Sequence, residues 1–171
     1  MAERLELGQL GPAVEALGAP LTGRELDAVR RAIAVYLVGV SKKAVAQSVS
    51  PSGQKFADLA PSTLRGRRKA GRGAKPLWNT GILLAGFQAV PEGPSSLLWG
   101  NSVDYWHFHQ TGTERVRTRK GGAGEPEEVE ERVPGMPARR TVEAAPEVLD
   151  VVAEMAADAA VDALMRRSLR R

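Results

Sequence analysis

The strongest constraint on the fold is an apolar stripe in the first third of the chain. Apolar residues recur there at steps of three and four, the spacing of one helix face: Leu26, Val29, Ile33, Tyr36, Leu37, Val40 and Ala44. Thr22 and Glu25 precede the stripe with the spacing of a capping box, which predicts a helix over residues 22–47. Because such a helix must bury its apolar face, the rest of the chain has to pack around it.

A second long helix is predicted at residues 146–168, where Pro146 suits the first turn. Its apolar stripe consists of Val148, Val152, Met155, Ala159 and Ala163, with Leu149, Ala156 and Ala160 beside it. The opposite face carries only acids: Glu147, Asp150, Glu154, Asp158 and Asp162. Like charges at this spacing repel each other by a few tenths of a kcal/mol each. The acids form either a solvated face or a contact face in an assembly, which pairs with a basic patch on a neighbour or lines a passage.

The segment between the helices has the pattern of short strands and turns. Residues 87–90 and 97–100 predict a hairpin whose turn contains Pro91 and Pro94. Residues 82–84 suit a helical turn, whereas the aromatic cluster at residues 105–110 fits a strand or a helix equally well. The predicted fold class is therefore α+β, with a small antiparallel sheet flanked by an N-terminal and a C-terminal helix.

The 171 residues and the absence of cysteine set the domain organisation. A chain of this length buries an ordinary core without disulfides or metals. We expect a short N-terminal segment, residues 1–21, with a helical turn around residues 13–17, followed by one domain over residues 22–171. The most apolar run, residues 32–40, is too short to span a membrane, so we expect no membrane partner and synthesis in a cytoplasm.

Residues 113–133 have the pattern of a charged arm. A basic stretch at residues 115–120, a glycine-rich tip at 121–124 and five acids within residues 125–131 fit a hairpin whose charges pair across the strands. With little apolar content, such an arm is marginal alone. A protruding hairpin and a disordered insertion are both consistent with the sequence.

The net charge of +4 comes from one segment. Residues 65–75 hold six bases and no acid: Arg65, Arg67, Arg68, Lys69, Arg72 and Lys75. Their glycines and lack of large apolar residues predict a basic loop that is mobile until it is bound. Such a loop can bind nucleic acid through phosphates, dock to an acidic protein, or remain solvated.

No sequence pattern points to catalysis. There is no phosphate-binding glycine loop, no GxSxG motif and no HExxH motif. His107 and His109, the only histidines, could seed a metal site with Asp104 if they lay on a strand, but they are better explained by packing within the aromatic cluster. We therefore expect no enzyme activity, no cofactor and no metal.

Four blocks of the chain, taken in order, resemble the phage virion morphogenesis family, which includes Mu-like protein G and tail-completion proteins. The blocks are SPSGQKFADL at 50–59 with Pro61 and Thr63, LWNTGIL at 77–83, WGNSVDYWHFHQTG at 99–112 and MPAR at 136–139. The family pattern runs SPDGxxW, TGxL, YAxxHQxG and IPARPF. The positions that carry the match are Pro51, Gly53, Phe56, Thr80, Gly81, Tyr105, His109, Gln110, Gly112 and Pro137.

The chain departs from this pattern at five positions. Ser52 replaces an aspartate, Phe56 a tryptophan and Trp106 an alanine, and Arg140 and Thr141 stand where Pro-Phe is usual. The last two leave the packing of the final connector open. Within the motifs, Ser-Pro-x-Gly predicts a tight turn, Thr80-Gly81 a closely packed capped turn, and Arg139 a fixed bidentate contact at an interface.

The resemblance implies a structural protein of the virion at the head–tail junction. Such proteins act as rings, usually hexameric, that complete or terminate the tail and face the head connector, with DNA present only as the genome passing through the lumen. We expect the basic loop, the charged arm and the acidic helix face to contact neighbouring subunits or other neck and tail-tube proteins. The alternative is a basic DNA-binding or packaging accessory protein that uses residues 65–75.

Overall fold

The structure, a computed structural model, describes residues 3–6, 23–92, 96–120 and 128–169. The helices are α1 (Gly23–Gln47), α2 (Pro61–Lys69), α3 (Ile82–Ala85), α4 (Trp106–Thr111) and α5 (Pro146–Ser168). The strands are β1 (Glu3–Glu6), β2 (Phe87–Pro91), β3 (Ser96–Asn101), β4 (Glu114–Lys120) and β5 (Glu128–Pro134). The predicted α+β class and both long helices are confirmed. Thr22 and the helical turn proposed at residues 13–17 lie outside the described residues.

A three-stranded antiparallel sheet combines one strand before α1 with two strands between the long helices, and it packs on α1. Its strand order is β1-β3-β2, so the predicted hairpin of β2 and β3 is confirmed. The outer strand β1 was not predicted, because four residues within a glycine-rich and proline-rich segment give too short a pattern to identify a strand. Its register places Leu5 opposite Leu97 and makes residues 3–6 part of the sheet rather than of a separate segment.

The core forms where α1, the sheet and α5 meet. Ile33, Leu37 and Val45 of α1 are fully buried, as is Trp99 of β3. The indole Nε1 of Trp99 donates to Ser41 Oγ at 3.0 Å, which satisfies both polar groups inside the core. On α5 the buried stripe is Val148, Val152, Ala156, Ala160 and Ala163. Met155 and Ala159, which we predicted within the stripe, are only half-buried at its edge.

Strands β4 and β5 form the predicted arm. Their antiparallel register pairs Arg117 with Glu131 and Lys120 with Glu128 along the backbone. Each strand has seven residues and contacts mainly its partner. The hairpin interpretation is therefore confirmed for residues 114–120 and 128–134, while the tip lies outside the described residues.

The predicted basic loop is wrong in its first half. Residues 65–69 belong to α2, which begins at Pro61 in the first-turn position that proline favours. The return segment after α2 is fixed as well. Arg67 Nη1 donates to the carbonyl oxygens of Gly73, Lys75 and Trp78 at 3.3, 2.7 and 3.2 Å. Arg67 therefore fixes the segment at residues 73–78, part of which was predicted to be mobile from its glycine content.

Candidate functional site

The residues of the four sequence blocks, far apart in the chain, converge on one cleft of about 730 Å³. It lies between α2, the turn before α3, the helix α4, the base of the arm and the connector that follows the arm. Its lining residues include Asp58, Leu59, Ser62, Thr63, Arg67, Leu77, Asn79, Thr80, Leu83, Tyr105, His109, Arg115, Met136, Pro137 and Arg139. The cleft is therefore where the separate motifs act together.

The first block is a tight turn, as predicted. The amide of Gly53 donates to the Ser50 carbonyl at 2.9 Å, and the amide of Ser50 donates to the Gln54 carbonyl at 2.8 Å. Pro51 lies within this turn, which sends Phe56 into the core, where its exposed fraction is 4%. Ser52, which replaces an aspartate of the family pattern, donates to Glu143 Oε2 at 2.7 Å. The turn therefore ties the segment after α1 to the region just before α5.

Arg139 makes the fixed contact that we predicted, but within its own chain. Its Nε and Nη2 donate to the Ala57 carbonyl at 3.1 and 3.0 Å, and Nη2 also reaches the Asp58 carbonyl at 3.3 Å. Only 4% of the residue is exposed. Its guanidinium therefore joins the connector to the segment after Phe56, and a role at a subunit interface stays a prediction.

Gln110 holds the other end of the connector. Its Oε1 accepts from the Thr141 amide at 3.0 Å and from the Val142 amide at 3.4 Å, while its Nε2 donates to the Val142 carbonyl. The side-chain amide thus mimics a strand partner for two backbone positions. The backbone carbonyl of His109 adds a bond from the Arg139 amide at 2.6 Å. Gln110 of helix α4 therefore holds the backbone of the connector in position.

Three glycines of the blocks, Gly53, Gly81 and Gly112, have the positive φ that favours this residue. Gly81 has φ 80° immediately before α3, and a Cβ there would meet nothing within 4 Å. Our prediction of close packing and a side-chain cap at Thr80-Gly81 is therefore wrong; conformation alone calls for the glycine. Gly112 combines φ 80° with close packing, since a Cβ would lie 2.9 Å from the Met136 carbonyl oxygen.

The junction of arm and cleft rests on residues that sequence reasoning missed. The Thr113 amide donates to the Met136 carbonyl, its carbonyl accepts from the Gly135 amide, and its Oγ1 accepts from the Met136 amide, each at 2.8 Å. A Cβ on Gly135 would lie 2.5 Å from Thr113 Oγ1. The sequence shows Thr113 just before the arm and Gly135 just after it. That these two residues contact each other was not evident without the fold.

His109 lies at the base of the cleft. Its ring meets Tyr105 edge-on with centroids 6.0 Å apart, as expected for packing within the aromatic cluster. Its Nδ1 is buried and has no hydrogen-bond partner within the described part of the chain. Burial, followed by the charges of Arg139 and Arg67, lowers the pKa of His109 below its usual 6.5. The imidazole is therefore neutral at pH 7.

This shift predicts a pH-dependent stability. Because protonation is disfavoured in the folded state, the contribution of His109 is fully present above pH 6.5 and is lost as the pH falls towards the lowered folded-state pKa. We expect His109→Gln to flatten the fall in urea midpoint between about pH 7 and pH 5. His107→Gln, at an exposed position of the same helix, serves as the control and should retain the wild-type slope. Equal slopes in all three proteins would contradict the assignment.

Two departures from the family pattern contact each other. Trp106 is 3% exposed, and its Nε1 donates to Thr141 Oγ1 at 3.0 Å. Where the pattern has a small residue in the helix and a phenylalanine in the connector, this chain has the large aromatic in the helix and threonine in the connector. The larger side chain at position 106 and the smaller one at position 141 therefore compensate each other in volume where α4 and the connector touch. Arg140, the other change, is exposed beside Glu143 at 3.6 Å.

The remaining predicted contact residues form two exposed surfaces. We call Arg65, Arg68, Lys69 and Arg72 the basic surface, since all four point outward from α2 and its C-terminal end. Arg67 is not part of this surface, because it hydrogen-bonds the carbonyls that follow α2. Lys75 lies beside the Trp78 ring, and its Nζ donates to the Ala46 carbonyl at 3.2 Å. We call the five exposed acids of α5 the acidic surface: Glu147, Asp150, Glu154, Asp158 and Asp162. Asp162 pairs with Arg166 at 3.4 Å.

The described residues contain no group of three histidine, aspartate or glutamate side chains placed to hold a metal ion. His107 and His109 lie on a helix rather than a strand, so they do not share a face. His107 Nδ1 hydrogen-bonds the Asp104 carbonyl at 2.7 Å. None of the helices within the described ranges has the length and apolar content to cross a membrane.

Comparison with known proteins supports the resemblance carried by the four blocks. Neither the curated proteins nor the solved structures gave a significant match. A family model does match, over residues 5–160, which covers the end of β1, the rest of the sheet, the cleft and most of α5. Its description is the phage virion morphogenesis family, which indicates a role in building the phage particle. The chain belongs to the phage virion morphogenesis family.

Proposed function

We propose that the chain is a non-catalytic subunit of the head–tail junction of a tailed phage. Copies form a ring, six in number as the family resemblance implies, that completes the tail and meets the head connector. Tail-tube and neck proteins are its partners, and DNA is present only as the genome in transit. The single observation that carries the proposal is the separation of two unlike, uncompensated charged surfaces on one subunit.

The two charged surfaces suit a head-to-tail contact between copies. The acids Glu147, Asp150, Glu154 and Asp158 are exposed and have no ion-pair partner among the described residues. The basic surface lies on α2, none of whose residues is buried in the core. Because an interface between two different patches repeats in one direction, it generates a closed ring when the rotation permits. The polar groups of Arg139 and Gln110 hold backbone in place, which supports a structural rather than a catalytic cleft.

Charge reversal tests the contact. In lysates of a phage that lacks this gene, we expect purified protein to restore infectious particles. Arg68→Glu with Lys69→Glu should lower that restoration about 100-fold, because like charges across an interface cost several kcal/mol. Glu154→Lys with Asp158→Lys should do the same, and all four changes together should recover much of the loss.

Arg31→Glu, an exposed reversal on α1, is the control and should remain active. If the variant with all four changes restores no more infectious particles than either double variant, the two surfaces do not contact each other. This holds even if each double variant is impaired.

A second candidate, a DNA-binding packaging accessory, is favoured by the outward position of the basic surface. Four cations on one side of a short helix can neutralise phosphates, and binding would then fall steeply with salt. A gel shift with duplex DNA at physiological salt separates the two functions. Tight binding that is lost with Arg68→Glu and Lys69→Glu, together with full activity of the α5 reversal, would favour the DNA-binding role.

A further inference from the structure

The cleft brings three basic side chains close to one another: Arg67, His109 and Arg139. The charges of Arg67 and Arg139 both disfavour protonation of His109, and Arg67 also lowers the pKa of the Arg139 guanidinium. Asp58 acts in the opposite sense on Arg139, but burial and Arg67 outweigh it. The cleft therefore holds more positive charge than its own acid offsets.

These side chains retain hydrogen-bonding capacity. The three bonds of Arg67 all use Nη1, and the bonds of Arg139 use Nε and Nη2. Nη2 of Arg67 and Nη1 of Arg139 thus remain available, beside the buried Nδ1 of His109 that has no partner among the described residues. Because no hydrogen bond from this nitrogen to the described part of the chain stabilises the charged imidazole, the charge of His109 depends on the other groups around the cleft.

The lining favours a carboxylate on a polypeptide over a phosphate on DNA. Apolar side chains share the cleft with the cations: Leu59, Leu77, Leu83, Tyr105 and Met136. They suit the methylene groups of an acidic side chain, whereas a duplex backbone is convex and contacts extended basic surfaces. Guanidinium groups bind carboxylates through paired hydrogen bonds, which gives the contact a fixed geometry.

The acidic surface of a second copy fits this description. Helix α2 carries the basic surface on its outer side, while Ser62, Thr63 and Arg67 of the same helix line the cleft. The cations of the cleft are complementary in charge to the exposed carboxylates that α5 of a second copy would present. We propose, resting on the proposed ring contact, that the cleft receives an acidic side chain from α5 of a neighbouring copy and that His109 takes up a proton when it binds.

The proton uptake follows from the groups that face His109. In the subunit alone, burial and the charges of Arg139 and Arg67 disfavour the protonated form of His109. The other titratable groups on the cleft walls are Asp58, Tyr105 just before α4, and Arg115 of β4. A carboxylate placed among these cations offsets their charge and stabilises the imidazolium. Binding therefore strengthens as the pH falls, by at most about 10-fold per pH unit for one proton.

The test is an NMR titration of the histidine rings in the full-length protein. The probe is a capped synthetic peptide with the sequence of residues 146–163, which holds all five acids and no base. Only two histidines need assignment, and His107→Gln identifies the signal of His109. We expect the acidic peptide to raise the pKa of His109 and to bind about 10-fold more tightly at pH 6 than at pH 7.

Matched controls separate this site from general charge attraction. The same peptide with its acids changed to amides should leave the His109 signal unmoved. His109→Gln should abolish the pH dependence of binding, whereas His107→Gln should keep it. A peptide that leaves His109 unperturbed, or a DNA duplex that shifts its signal when the peptide does not, would overturn the proposal. If the charge-reversal rescue succeeds while the peptide fails, the ring contact stands and only the cleft assignment is wrong.

Discussion

Replacing Gly112 by alanine is expected to lower the free energy of unfolding by about 4 kcal/mol. The residue has φ 80° and ψ −179°, a region essentially reserved for glycine. A Cβ would also lie 2.9 Å from the Met136 carbonyl oxygen and 3.0 Å from the Ala138 amide nitrogen. Both are backbone atoms of the connector, so relief requires the connector to move away from α4.

Urea unfolding followed by tryptophan fluorescence measures this effect. Gly66→Ala is the matched control, since Gly66 lies within α2 and a Cβ there meets nothing within 4 Å. This change should raise stability by about 0.5–1 kcal/mol through helix propensity. A Gly112→Ala protein as stable as the wild type would show that the connector does not approach α4 as described.

The exchange between Trp106 and Thr141 predicts a rescue. Trp106→Ala should cost about 3–5 kcal/mol, because it empties a buried site and leaves the Thr141 hydroxyl without its indole partner. Adding Thr141→Phe to Trp106→Ala restores the residue types of the family pattern at both positions. We expect the double variant to regain at least half of the lost free energy, since the phenyl ring can occupy the vacated volume.

Thr141→Phe alone is the informative control for this pair. With Trp106 present the added ring has no space, so the single change should be destabilising by about 1–3 kcal/mol. The two single variants and the double variant form a thermodynamic cycle, measured from urea midpoints. Additive losses in the double variant would contradict a direct exchange of volume between helix α4 and the connector.

The parts of the fold that the sequence could predict are those with a long repeating pattern. Helix α1 and helix α5 each hold an apolar stripe over roughly four to five turns. Their bounds match the predicted residues 22–47 and 146–168 closely. The hairpin of β2 and β3 follows from two apolar runs around a proline turn. In each case local periodicity and tertiary burial favour the same structure.

The parts that could not be predicted depend on long-range partners. Helix α2 continues through residues 65–69, whose glycine and charge content is typical of a loop, and Arg67 fixes its exit through three carbonyls. The short strand β1 exists because β3 offers it an edge. Arg139 looked like a surface residue because arginines mostly are, and only the fold places the Ala57 carbonyl within its reach.

The cleft shows the same limit for the functional site. The four blocks identified the family, and their residues proved to be neighbours in space, but the role of each was not evident from the chain. Gln110 and Arg139 position the connector, and Gly112 permits its close approach. His109 has a ring nitrogen without a partner among the residues that the structure describes. The acids of α5, in contrast, were predicted on one face of the helix from their spacing, and all five are exposed.

Directed cysteine cross-linking of α2 to α5 tests the central claim most directly. The chain has no cysteine, so Arg68→Cys and Asp158→Cys introduce the only thiols. The measurement is the size distribution of covalent products after oxidation, with the protein alone and with phage tails that lack it. The account predicts a ladder of multimers that ends at six copies in the double variant, with no ladder in either single variant. Monomers alone under both conditions, or single variants that cross-link into dimers as efficiently as the double variant, would contradict a ring built by contact between the basic and acidic surfaces.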